Sequence, residues 1–256
     1  MRQEDGSAGD ANYGEIGRHY ALFRQPEPLI EAAILDALGD AETILNVGAG
    51  AGSYEPRERY VTALEPSASM RAQRPAELSV AIDGVAERLP FPDKSFDAAL
   101  ATFTVHQWSD LEAGLVEMRR VSRGPVVILT CDPDDVQAFW LNEYAPDVLA
   151  AEARRYPAMA RLGTTLGGYV DVRQVPIPLL CRDGFNEAYY GRPEMLLNDA
   201  ARLSCSAWSF VPDATANEYV RALKDALECG DWDRRYGQLR TQPVYRGSLR
   251  LVVAGP

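Results

Sequence analysis

The stretch Leu45–Pro56, LNVGAGAGSYEP, decides how the rest of the chain is read. An apolar run stops at glycines 48, 50 and 52, and the next apolar run, YVTAL, ends on an acid, Glu65. A strand that feeds a glycine turn exposes backbone N–H groups and removes the side chains that would block a ligand. The dinucleotide fingerprint G-x-G-x-x-G wants a third glycine where this chain has Ser53, and the phosphate-cradling ending G-K-[ST] is absent. The loop therefore suits a cofactor that comes close without a pyrophosphate. A carboxylate at a strand end accepts the two hydroxyls of a ribose, so loop and Glu65 together favour an adenosine-type ligand.

Working outward, PEPLIEAAILDALG places Leu29, Ile30, Ala33, Ile34, Ala37 and Leu38 on one helical face, with Gly39 as the stop. TILNV, RYVTALE, FDAALAT and VVILT read as buried strands. SDLEAGLVEMRRVSRG opens with Ser109 and Glu112 in capping-box spacing, with Leu111, Leu115, Met118 and Val121 on one face. Apolar strands alternating with helices predict an α/β fold, a parallel sheet covered on both faces. Beyond Cys131 the pattern changes. Residues 132–170 read as a helical cap, VDVRQVPIP as a strand, ATANEYVRALKDALECG as a helix and GSLRLVVAG as a closing strand. The expected organisation is a flexible tail over 1–12 and one domain over 13–256, with cap or lid elements near 13–26, 132–170 and 183–235.

The formal net charge of −11 opposes binding to nucleic acid or to anionic membranes. No apolar run approaches the length of a membrane span, and the polar start lacks a signal-peptide segment, so a cytoplasmic location is expected. Cys131, Cys181, Cys205 and Cys229 are widely spaced and read as small buried apolar residues, with no metal expected.

Four blocks then occur in order over residues 42–132: ILNVGAGAGSY, VTALEPSASM, GVAERLPFPDKSFDAALATFTVHQW and EMRRVSRGPVVILT. With them the chain resembles the class I S-adenosylmethionine (SAM)-dependent methyltransferases, in particular the small-molecule group related to the ubiquinone and menaquinone methyltransferases (methyltransferase type 11). The third block is the most specific; IGRHYALFRQPEP and YRGSLRLVVAG add to the likeness. The resemblance implies a Rossmann-like fold with a mostly parallel seven-stranded sheet, SAM as cofactor, S-adenosylhomocysteine as product and a small-molecule acceptor methylated at O, N or C. By the same likeness, Gly48, Gly50 and Gly52 would face the methionine portion of SAM and Glu65 the ribose. Pro66, Met70, Val85, Ala86 and Glu87 would lie near the adenine, Thr102 and Phe103 near the methyl group, and Arg24 on the cofactor's carboxylate. Asn46 stands where the family has an acid, leaving a neutral amide or a water to meet the ammonium. Val85 replaces an Asp that accepts from the adenine, and the first helix must be short.

Of the two histidines, His106 follows the strand whose carboxyl end opens on the expected crevice, and its ordinary pKa suits a general base. It is the catalytic candidate, against a structural histidine. His19 and Tyr20, in the expected lid, and Trp108, Trp140, Tyr144 and Tyr190 are substrate-pocket candidates, against ordinary core packing. Gly163, Gly167 and Gly168 read as a hinge or a plain turn, and the acidic runs at 132–135 and 230–233 as solvated loops. The competing functions are a non-methylating rearrangement or cyclisation on the same fold, a nicotinamide oxidoreductase, and a non-catalytic SAM-binding scaffold.

Overall fold

The computed structural model describes residues 20–256, with side chains from residue 22. The expected tail, His19 and the Tyr20 side chain lie outside the described residues. A short turn of helix, α1 (Tyr20–Phe23), leads into α2 (Pro28–Leu38). Glu27 caps α2 by accepting from Leu29 N–H, Pro28 fits the first helical position, and Gly39 at φ +54° ends it. Ile30, Ile34, Ala37 and Leu38 are buried, while Leu29 is exposed.

The chain then lays down β1 (Thr43–Val47), β2 (Tyr60–Leu64), α3 (Ala68–Ala72), β3 (Ala98–Thr102), α4 (Leu111–Val121) and β4 (Val126–Cys131). Between β1 and β2 there are only turns, because the connection is short and holds Pro56; the expected short first helix is absent. The cap of α4 is Asp110, which accepts from Ala113 N–H at 3.0 Å, and not Ser109. Ser109 instead donates through its N–H and its hydroxyl to Glu87, and Glu112 pairs with Arg161.

Helices α5 (Pro133–Val136), α6 (Pro146–Arg155) and α7 (Met159–Leu166) precede β5 (Val170–Gln174) and the two-residue β6 (Ile177–Pro178). Gly163 lies within α7, and Gly167 and Gly168, both at positive φ, turn the chain into β5. Several 3₁₀ turns and α8 (Asp199–Leu203), α9 (Asp213–Glu228) and α10 (Asp231–Tyr236) follow, then β7 (Val244–Tyr245), paired with β6, and β8 (Leu249–Ala254).

The main sheet has the order β2–β1–β3–β4–β8–β5. Strands β1 to β4 pair in parallel, and β8 runs antiparallel to both β4 and β5. Six strands are described where seven were expected. At the β2 edge, Ile82 alone forms a parallel bridge to Leu64, donating to Ala63 O at 2.8 Å and accepting from Glu65 N–H at 2.9 Å. The flanking segment is mostly exposed and lacks the apolar face that would hold a longer strand in register.

Strand periodicity sorts the core into two layers. Ile44, Leu100, Val127 and Leu129 face α2 and most of the helices after β4. Leu45, Ala99, Ala101, Val126 and Ile128 face α4 and α7. Helices thus cover both faces, and the carboxyl ends of β1, β2 and β3 open beneath the polypeptide that follows β4. The acidic runs make caps and ion pairs: Asp132 caps α5, Asp135 pairs with Arg250, and Asp231 and Asp233 pair with Arg234 and Arg240. All four cysteines are free, three of them buried.

Candidate functional site

A cleft open to solvent lies at the carboxyl ends of β1, β2 and β3. Gly48, Gly50, Glu65, Met70, Thr102, Phe103 and Arg24 border it, joined by Ser53, Tyr54, Thr104, Gln107 and Asp183. Gly48 sits at φ +70°, and a Cβ there would lie 2.1 Å from Thr104 Oγ1. Gly50, at φ +52°, brings its backbone to Met70 and donates to Glu65 Oε2 at 2.8 Å. The amides of Gly48 and Ala49 both go to Leu64 O, and that of Gly52 to Ala49 O. So many committed N–H groups make a poor anion nest, which agrees with a ligand lacking a pyrophosphate.

Glu65 is 7% exposed. Ser67 N–H donates to its Oε1 and Gly50 N–H to its Oε2, each at 2.8 Å, which leaves further lone pairs toward the cavity. Burial raises its pKa despite those bonds and the nearby Arg71 and Arg74. Beneath the loop, Arg74 and Glu55 form a buried ion pair at 2.8 Å, and Arg74 also donates to Gly50 O at 3.3 Å.

Asn46 belongs to this underlayer. It is 2% exposed, donates to Glu55 Oε1 at 3.1 Å and does not border the cavity. Gly52 faces Leu78 and Arg74. Pro66, Val85, Ala86 and Glu87 are likewise outside the cavity wall; Ala86 is core, and Glu87 is taken up by Ser109 and Asp110.

The far wall comes from distant segments. Arg24 pairs with Asp183, whose Oδ2 accepts from Tyr54 OH at 2.9 Å. Asp183 is 1% exposed, and Gly184 N–H donates to Phe23 O at 2.6 Å, so this join fixes α1 against the 181–185 loop. Arg24 also lies over the Phe103 ring, 5.0 Å from its centroid. Phe103 takes φ +52°, a conformation costing a bulky residue about 1–3 kcal/mol. Strain of this size persists only where the surroundings enforce it.

A second, smaller chamber adjoins the first and shares Arg24, Phe103 and Gln107 with it. His106, Glu152, Tyr156, Phe185 and Asn186 line it, with Ser204, Cys205 and Ser206 at one side. The His106 ring meets Tyr156 edge-on at 4.7 Å, and its Nδ1 has no described partner. Burial first, then Arg155 and Arg24, push its pKa well below the ordinary value, so the imidazole is neutral and a weaker base than its type promises. Burial pushes Glu152 the other way.

Trp108, Trp140, Tyr144 and Tyr190 reach neither chamber. Trp108 packs against Gly114 of α4. Trp140 donates to Tyr190 O at 2.9 Å and contacts Tyr144 and Trp232, so these rings form core. They went inward because together they bury a large apolar area, while Trp140 Nε1 and Tyr190 OH find backbone acceptors. The residues missed by sequence reasoning, Asp183, Glu152, Tyr156 and Asn186, sit in segments without a motif; a carboxylate on the apolar stripe of α6 was the one available signal.

Among the described residues, no group of three or more His, Cys, Asp or Glu is placed to hold a metal, and no helix is long and apolar enough to cross a membrane.

A family model described as a methyltransferase domain matches residues 45–128, the segment that builds the glycine loop, Glu65 and Phe103. Malonyl-[acyl-carrier protein] O-methyltransferase of Erwinia pyrifoliae is 32% identical over 180 residues, which cover 61% of this chain and 68% of the relative. The chain belongs to the SAM-dependent methyltransferases. Demethylmenaquinone methyltransferase of Thermotoga maritima is 26% identical over 165 residues, covering 58% of this methyltransferase and 72% of the relative. A crystal structure described as a methyltransferase from an antibiotic biosynthesis pathway of Anabaena variabilis superposes with a TM-score of 0.85 at 28% identity. It covers 91% of this chain and 99% of its own. The residues present fit the cofactor: a glycine floor that a Cβ would crowd and a buried carboxylate with lone pairs to spare.

Proposed function

We propose that this methyltransferase moves a methyl group to O, N or C of a small organic acceptor, within one domain spanning 13–256. The adjacency of the two chambers carries this reading: one is furnished for a nucleoside and amino-acid ligand, and the other shares with it only Arg24, Phe103 and Gln107. SAM supplies, when bound, a methyl carbon activated by a positively charged sulfur. Glu65 would accept the ribose hydroxyls, Gly48 and Gly50 would leave room for the amino-acid tail, and Arg24 would attract its carboxylate. Met70 would border the base.

Phe103 and Arg24 form the boundary at which the two ligands meet. Holding reacting atoms in line across it is worth about 7–11 kcal/mol of barrier. Their bulk also keeps water from that boundary. His106, kept neutral, would act as a hydrogen-bonding wall toward the acceptor.

The test pairs thermal shift with product analysis. SAM and S-adenosylhomocysteine should each raise the melting temperature, NADH should not, and S-adenosylhomocysteine should appear in step with a product heavier by one CH₂. No shift with either adenosyl compound overturns the cofactor site. Conversion of a substrate without SAM consumption overturns methyl transfer in favour of a rearrangement on the same fold.

A further inference from the structure

Glu152 is placed against the usual logic of a core. On α6 it follows Val148 and Leu149 at helical spacing, so it sits on the stripe that those buried residues define. Its side chain opens on the second chamber. Asn186 Nδ2 donates to Oε2 at 2.7 Å, and Asn186 is itself fixed by Trp208 Nε1 donating to its Oδ1 at 3.0 Å. No described residue donates to Oε1 or forms a salt bridge with this carboxylate. Glu152 is half-buried, and a carboxylate oxygen that meets no described donor there is open to a ligand's hydroxyl.

The surroundings narrow what would serve it. Phe103, Phe185, Tyr156 and His106 give the chamber flat, ring-lined walls. Arg24 lines the same space, and Arg155, one turn along α6, donates to Ser206 Oγ at the chamber's side at 3.0 Å. After burial, Arg155 and Arg24 disfavour a proton on His106, and with Arg24 already paired to Asp183 the flat walls and the Glu152 acceptor suit a neutral aromatic hydroxyl.

We propose that Glu152 is the proton acceptor of the reaction and that the acceptor molecule is a phenol whose hydroxyl faces Oε1. This rests on reading the second chamber as the acceptor site. The phenol's O–H bond breaks and its proton passes to Oε1, while the oxygen's electron pair forms the new O–C bond. The bond from sulfur to the methyl carbon breaks with its pair left on sulfur. Carboxylate, phenol and sulfonium thus become carboxylic acid, methyl ether and thioether, with charge balanced.

The probe is 4-methylphenol, whose hydroxyl keeps its proton at neutral pH. Titrated into protein saturated with S-adenosylhomocysteine, it should bind the wild type, and aniline should compete poorly. With SAM, Glu152→Gln should turn the phenol over about 10²–10⁴-fold more slowly while keeping the wild-type thermal shift with SAM. Glu152→Asp, which restores a carboxylate, should recover part of the rate. Undiminished turnover in Glu152→Gln removes the residue from proton transfer. Absent binding of 4-methylphenol to the wild type, or a preference for aniline, overturns the phenol; neither binding result depends on how a variant folds. Failure of the broader reading looks different: no thermal shift with SAM in any form of the protein.

Discussion

The two chambers meet at a single wall but are made differently. The first is assembled mainly from short segments at the carboxyl ends of neighbouring strands, with Gly48–Tyr54, Glu65, Met70 and Thr102–Thr104 all within one compact run of sequence. The second draws on the β3 exit, the end of α6, the 185–186 turn and the 204–206 turn, and its polar groups hang from helices. Parallel strands converge by hydrogen-bond register, so a motif read along the chain maps directly onto a place. Helices and turns that converge through packing carry no such register.

Joining the two is Asp183, and its loss should have the largest effect. Asp183→Ala leaves Arg24 without this partner and Tyr54 without an acceptor, and breaking such a buried pair costs about 3–5 kcal/mol. Denaturant melts should register that loss, with weaker SAM binding and weaker acceptor binding together. A variant that weakens only one of the two would show the chambers to be independent.

Behind the second chamber, Glu187 accepts from Ser248 N–H and its hydroxyl at 2.9 Å, and burial pushes its pKa up to about 7. Glu152, Cys131, Tyr245 and Arg250 lie in its electrostatic reach. A carboxyl raised in the folded state stabilises fully below its unfolded pKa, and that contribution is lost as pH rises through about 7. The shift is worth about 3 kcal/mol. Melts from about pH 5 to about pH 8 should show wild type losing stability relative to Glu187→Gln. A pH-independent difference between the two would refute it.

Glu65→Ala should touch only the first chamber, lowering SAM affinity about tenfold to a hundredfold by calorimetry, since hydrogen bonds to a charged group are worth about 1.5–3 kcal/mol. Binding of 4-methylphenol without cofactor should stay as in the wild type. If it falls equally, the division drawn above is wrong.

The same contrast governs what the sequence disclosed. Continuous apolar runs alternating with helices, and the glycine turn, led to the sheet, the loop and Glu65, because burial on both faces and positive φ leave marks on residue type. The resemblance implied a seventh strand, and at the β2 edge only the single Ile82 bridge stands, where no apolar run would hold a longer one. Asn46 kept its place in the motif but turned under the loop to Glu55. Trp140 and Tyr190 looked like pocket residues, although nothing in a linear pattern separates a ring that lines a void from one that fills it. His106 was singled out by its position after β3, yet its lowered pKa comes from burial first and then from Arg155 and Arg24, none of which a spacing rule discloses. Glu152 went unread for the same reason.

The Asp183 carboxylate has a further consequence, in the order of biosynthesis. It meets Tyr54 across 129 residues and Arg24 across 159, so contacts near the start of the chain wait for a loop that leaves the ribosome much later. Such long closures are slow to form. On the proposed reading of the first chamber, the glycine loop and Glu65 leave the ribosome before the segment that walls them, so coenzyme capture would come late in maturation.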